Sequence, residues 1–153
     1  MAHATALRAA LAGALAAAFL PVGPVTAGPL APYQITGDAI AEPLGGLVGD
    51  PTRGRAIVLD RARGNCLICH AVPVPSEPFQ GDLGPDLTGV GARLTAGQIR
   101  LRMVDTTRVN PDSIMPPFYR VDGLVRVAAR FAGTPVLTAQ EIEDVVSWLE
   151  TLK

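Results

Sequence analysis

The chain has 153 residues, with 13 basic against 14 acidic side chains and a net charge of −1. That length supports one small domain, and the balanced charge argues against nucleic-acid binding, which calls for a basic patch. Aromatic residues make up only 5% of the chain, so a core built from protein alone is modest.

Met1 to Ala27 carries His3 and Arg8 near its start, an apolar run from Ala9 to Leu20, then Pro21, Pro24 and Val25-Thr26-Ala27. This is the layout of an export signal, with a positive start, a short apolar run and an A-x-A-like cleavage site. The alternative is an uncleaved anchor, for which the run is short. No second long apolar run follows, so the mature protein is expected to be soluble and periplasmic, without a membrane span. Residues 28–49, rich in Pro, Gly and Ala, are the expected N-terminal arm. Tyr33, Ile35, Ile40 and Leu44 show no period within it. The segment is a flexible tail, or an arm that wraps the domain or a partner. Packing on a second chain is the expectation, because so small a core offers these side chains no evident place.

Residues 50–153 form the expected domain. Asp50 is an N-cap and Pro51 suits the first helical position, which predicts a helix that Gly64 is placed to end. Gly64-Asn65-Cys66-Leu67-Ile68-Cys69-His70 follows. It reads C-x-x-C-H, the attachment signature of a c-type haem. Two thiols at this spacing can add to the two vinyl groups on one haem edge, and the adjacent histidine can give a ring nitrogen to the iron. Competing readings are weaker. A structural zinc site needs four ligands, yet these are the only cysteines and the other histidine, His3, lies in the leader. A thioredoxin-type pair belongs in a βαβ pattern, whereas Pro73, Pro75 and Pro78 come next. A disulfide across two residues closes too small a loop to constrain much.

Ala71 to Arg93 reads as a loop from its prolines and glycines. A histidine ligand needs its second ring nitrogen held by an acceptor, and the rigid Gly84-Pro85 turn can present a carbonyl for that purpose. Arg93 either meets a haem propionate or is a solvated charge. Thr95 caps a predicted helix over Ala96 to Val104, with Ile99 and Met103 on one face and Arg100 and Arg102 off it. Pro116-Pro117 forbids helix around Met115, and an irregular hairpin is possible near Asp122-Gly123. Thr138-Ala139-Gln140-Glu141 is a capping box. Behind it Ile142, Val145, Trp148 or Leu149, and Leu152 recur at helical spacing, and Glu141, Glu143 and Asp144 complement the helix dipole.

His70 is the fifth iron ligand by elimination. For the sixth, Met103 falls in an apolar helical stripe where methionine is usually filler. Met115 lies in an extended loop pinned by Pro111, Pro116 and Pro117. Met115 is the preferred ligand, with Met103 or an open position as alternatives. A His/Met pair raises the reduction potential and closes the iron to outside ligands, which favours electron transfer over catalysis.

The order of helix, C-x-x-C-H, Gly-Pro turn, helix, methionine loop and C-terminal helix resembles a class I cytochrome c, a mostly α fold wrapped around one covalent haem c. The flanks resemble the SoxX family of the bacterial sulfur-oxidising system. Gly49-Asp50-Pro51-Thr52-Arg53-Gly54-Arg55, Gly91-Ala92-Arg93-Leu94 and, most specifically, Asn110-Pro111-Asp112-Ser113-Ile114-Met115-Pro116 carry that likeness. Tyr119 to Gly123 and Leu137 to Val146 extend it. The resemblance implies a heterodimer with a SoxA-type cytochrome, in which thiosulfate is oxidatively joined to a cysteine of the SoxYZ carrier. The sulfur chemistry of this L-cysteine S-thiosulfotransferase is then expected on the SoxA chain. The chain described here would accept electrons and pass them to a downstream cytochrome. The rival reading is a free periplasmic monohaem shuttle, and a third is a gas-binding or peroxidatic haem protein.

Overall fold

The structure, a computed structural model, describes residues 30–153. The expected signal segment, 1–27, lies outside the described residues. Among the described residues four α-helices carry the fold: α1 (Pro51–Leu59), α2 (Val90–Arg93), α3 (Ala96–Asp105) and α4 (Ala139–Thr151). Each long helix starts where its cap predicts. The Asp50 carboxylate accepts from the Thr52 and Arg53 amides, and Thr95 with Gln98, and Thr138 with Glu141, form reciprocal capping boxes. Helix α1 stops at Leu59, short of Gly64. The Asp60 side chain accepts the Ala62 amide at 2.8 Å, a local bond that competes with helical continuation. Among the described residues no strand forms, and the hairpin expected near Gly123 is absent. Residues 121–136 instead make an irregular excursion containing one 3₁₀ turn, Ala129–Phe131.

Helix α4 is the axis of the core. Ile142, Val145 and Val146 are fully buried on it. Helix α1 crosses it at Gly54, where a Cβ would fall 1.9 Å from the Asp144 carbonyl oxygen. Only glycine permits so close a backbone approach. Helix α2 meets the other end of α4 through Gly91, whose amide donates to the Leu152 carbonyl at 2.8 Å.

The N-terminal segment corrects the sequence expectation. Ile40 and Leu44 are 1% and 0% exposed and belong to this chain's own core. Tyr33 packs against that core half-buried, and Ile35 alone of the four stays outside. The Ile40 amide donates to the Gly97 carbonyl at 3.0 Å, at the start of α3. Arg100, which the spacing puts off the apolar stripe of α3, is nonetheless buried. It makes a two-pronged bond to Glu143 of α4, 2.7 Å on each arm, and donates to the Ile40 carbonyl at 2.8 Å. The same glutamate accepts the Leu44 amide at 2.9 Å. Glu143 and Asp144 therefore sit inside the fold as ion-pair partners, not on the helix surface as dipole charges. A hidden guanidinium and carboxylate are tolerated because nearly every donor and acceptor is matched.

Candidate functional site

Three backbone bonds shape the motif. The amides of Gly81, Gly84 and Leu87 donate to the carbonyls of Leu67, Cys69 and Ala71, at 2.9, 2.7 and 2.9 Å. The loop that follows the motif thus runs back alongside it. Asn65, in the left-handed region at φ 51°, opens the 3₁₀ turn Cys66–Ile68, and the His70 amide closes onto the Cys66 carbonyl at 2.9 Å. Leu67 is fully buried beneath the turn.

His70 lies against Gly84. A Cβ there would come 2.4 Å from His70 Cε1, so the absent side chain makes the slot for the ring. His70 Nδ1 is 2.7 Å from the Pro85 carbonyl oxygen. A carbonyl only accepts, so Nδ1 carries the proton and Nε2 keeps its lone pair for a ligand. Cys66 and Cys69 are both free thiols. Burial pushes the Cys66 thiol up to about 11, which keeps it neutral at physiological pH. That is the reverse of what an activated thioredoxin-type nucleophile needs.

These groups open onto one cavity of about 780 Å³, within the range of cofactor sites, about 300–1,000 Å³. Cys66, Cys69, His70 and Pro85 line its wall, as do Met115, Ile114 and Pro116. Val90, Ile99, Val145 and Leu149 supply much of the apolar lining. All six residues singled out from sequence, Cys66, Cys69, His70, Pro85, Arg93 and Met115, border this space. So does Met103, which is 4% exposed, buried in α3. Arg93 donates to the carbonyls of Thr88 and Asp86, the latter at 3.0 Å. Arg102 also lines the cavity. Sequence spacing put it off the apolar stripe, and its long side chain reaches the wall from the flank of α3.

The helical arrangement around a C-x-x-C-H cavity, with an N-terminal segment packed into the core, is a class I cytochrome c fold. No protein-family model and no curated protein matches the chain. Among solved structures it matches a chain of the crystal structure of SoxXA from P. pantotrophus, with a TM-score of 0.74 and 37% sequence identity, over 79% of this chain and 94% of that one. The chain belongs to the SoxX family.

Proposed function

We propose that the chain is a periplasmic monohaem cytochrome c, the electron-accepting subunit of a SoxAX-type complex. One observation carries this: both thiols of the motif, the histidine and a loop methionine converge on a single apolar-lined cavity of about 780 Å³. The residues suit one haem c. Cys66 and Cys69 would hold it by thioether bonds, and His70 Nε2 and the Met115 thioether would be the residues that ligate its iron. When bound, the haem supplies one-electron exchange between ferric and ferrous iron.

The protein's own groups do the rest. The Pro85 carbonyl fixes the His70 tautomer and ring plane. Gly84 leaves the ring its slot. Val90, Ile99, Val145 and Leu149 exclude water from the apolar interior, which favours the less charged, reduced state. The Met115 thioether would occupy the remaining iron position and so disfavour a gas-binding or peroxidatic role.

The solved neighbour is described as SoxXA, which supports a SoxA-type cytochrome as the partner. In that assembly electrons released when thiosulfate is joined to a SoxYZ cysteine reach this chain and leave to a downstream cytochrome. The sulfur chemistry belongs to the partner, since this chain's two cysteines are both in the haem motif. The test has two parts. Denatured protein should keep its haem on a gel, and release of all haem into acidified solvent would end the reading. Affinity purification from cells grown on thiosulfate should bring down a SoxA-type cytochrome. Recovery of a monomer with thiosulfate-independent reduction would favour the free shuttle.

A further inference from the structure

The sequence offers Arg93 two roles, a propionate contact or a solvated charge. Its hydrogen bonds describe a third. Arg93 is the last residue of α2, and its guanidinium turns back over the preceding loop. One amino group donates to the Thr88 carbonyl and the other to the Asp86 carbonyl. Asp86 is peptide-bonded to Pro85, and the Pro85 carbonyl is the group that receives His70 Nδ1–H. The loop between is tied further by the Asp86 carboxylate accepting the Thr88 amide at 2.7 Å. Gly89 turns the chain at φ 68° beneath the Arg93 side chain.

The base of this bracket is anchored at a distance from the cavity. The Gly91 amide donates to Leu152, and the Gly91 carbonyl accepts from Lys153 Nζ at 2.6 Å. Helix α2 is thus bound to the end of the chain, and from that support Arg93 grips the loop on its two carbonyls. A planar fork of fixed geometry suits two acceptors on one loop, and a lysine ammonium reproduces the charge without the fork.

We infer that Arg93 is a positioning residue for the axial histidine: by clamping the Asp86 and Thr88 carbonyls it holds the Pro85 carbonyl against His70 Nδ1–H and so sets the strength of that bond. The inference rests on the haem reading above. A strong Nδ1–H bond makes the imidazole a better electron donor and stabilises the oxidised iron. Loosening the loop weakens the bond and raises the reduction potential. Loss of a nearby positive charge acts the other way, because it favours the oxidised state. The two effects of Arg93 therefore have opposite signs, and substitution separates them.

The test uses the haem-loaded protein and the variants Arg93→Lys and Arg93→Gln, with Arg55→Gln, an exposed residue of α1, as reference. Two quantities are read: solvent exchange of the His70 Nδ1 proton by NMR in the reduced protein, and the potential by titration. The exchange should quicken about tenfold or more in both Arg93 variants, the effect of losing a bond of ordinary net strength, and stay unchanged in Arg55→Gln. The potential of Arg93→Lys, which keeps the charge, should rise. Unchanged exchange in both variants, with a potential that falls only in Arg93→Gln, means that Arg93 acts by charge alone and overturns the inference. If Arg93→Gln fails to load haem, Arg93→Lys alone decides. Failure of the haem reading itself would show earlier, as a wild-type protein without covalent haem.

Discussion

His70 and Met115 approach the cavity from very different backbones. His70 is set by local geometry: the turn Cys66–Ile68, the Gly84 slot and the Pro85 carbonyl. Met115 stands in a loop without helical support, and the Met115 amide bonds to Ser113 Oγ at 3.3 Å. Met103 borders the same space but is a core residue of α3. In the oxidised haem protein, Met115→Ala should abolish the thioether-to-iron charge-transfer band. Met103→Ala should keep the band while losing about 2–5 kcal/mol of stability, the usual cost of emptying a buried methionine site. Persistence of the band in Met115→Ala would refute the ligand assignment. Gly84→Ala tests the other axial side. The added methyl would overlap the imidazole, so the ring must shift and its bond to Pro85 lengthen. A destabilisation of about 1–3 kcal/mol in urea titration is expected, and an unperturbed stability and haem spectrum would show that the slot has slack.

Helices α1 and α4 are joined by contacts that no single-helix pattern announces. Beside the Gly54 crossing, the Asp144 carboxylate of α4 accepts the Asp50 amide at 2.8 Å and Arg53 Nε and Nη2 at 2.7 and 2.8 Å. Burial pushes the Asp144 carboxyl up, but the Arg53 guanidinium, the Asp50 amide and Gln140 outweigh it, and the net shift is downward. The sign of the pH effect follows. The unfolded chain has the ordinary carboxylate value, about 3.9. The ionised group therefore stabilises the fold above about pH 4 and loses that contribution as pH falls through the lowered value. Asp144→Asn should lower the urea midpoint at pH 7, and the gap from wild type should narrow on acidification below about pH 4. An equal gap at pH 7 and pH 3 would show that the carboxylate's charge is not what joins these helices.

At the scale of the molecule, the segment 30–49 is part of the domain. Ile40 and Leu44 are buried in its core, and the buried Arg100–Glu143 pair holds their backbone from α3 and α4. The Tyr119 hydroxyl accepts the Ala31 amide at 2.8 Å and secures the start of the segment. Leu44→Ala should cost about 2–5 kcal/mol, a large share of the 5–15 kcal/mol typical of a whole domain. Deleting residues 30–46 removes Ile40 as well, and should leave the domain largely unfolded at 37 °C by calorimetry. A truncated protein that melts like wild type would mean that the packing of this segment contributes little. The expectation that the arm serves a partner loses its premise, since its anchors are already covered. Interface residues are to be sought elsewhere, among exposed apolar side chains such as Ile68, Leu83 and Ile114, which border the cavity.

What the sequence determines by itself is local. Caps are decided within four residues, so Asp50, Thr95 and Thr138 mark helix starts without knowledge of the fold. The C-x-x-C-H spacing is likewise local, legible because in the proposed haem site two thiols and an imidazole would reach one ring, and the Gly-Pro turn is legible because a histidine proposed as ligand needs an acceptor. Tertiary structure decided the rest. Arg100 pairs with Glu143 across 43 positions, and Arg53 with Asp144 across 91; periodicity within one helix shows which face is apolar but not whether a charge on the other face meets its opposite. Ile40 and Leu44 sit in a segment without period, so their burial in the core comes from long-range packing that no local pattern announces. Arg93 was recognisable as a cation near the site, but the carbonyls it grips face it only because Gly89 turns the loop beneath it. Long-range pairing sets these roles, because a buried charge is stable only where the whole fold brings its partners within hydrogen-bond reach.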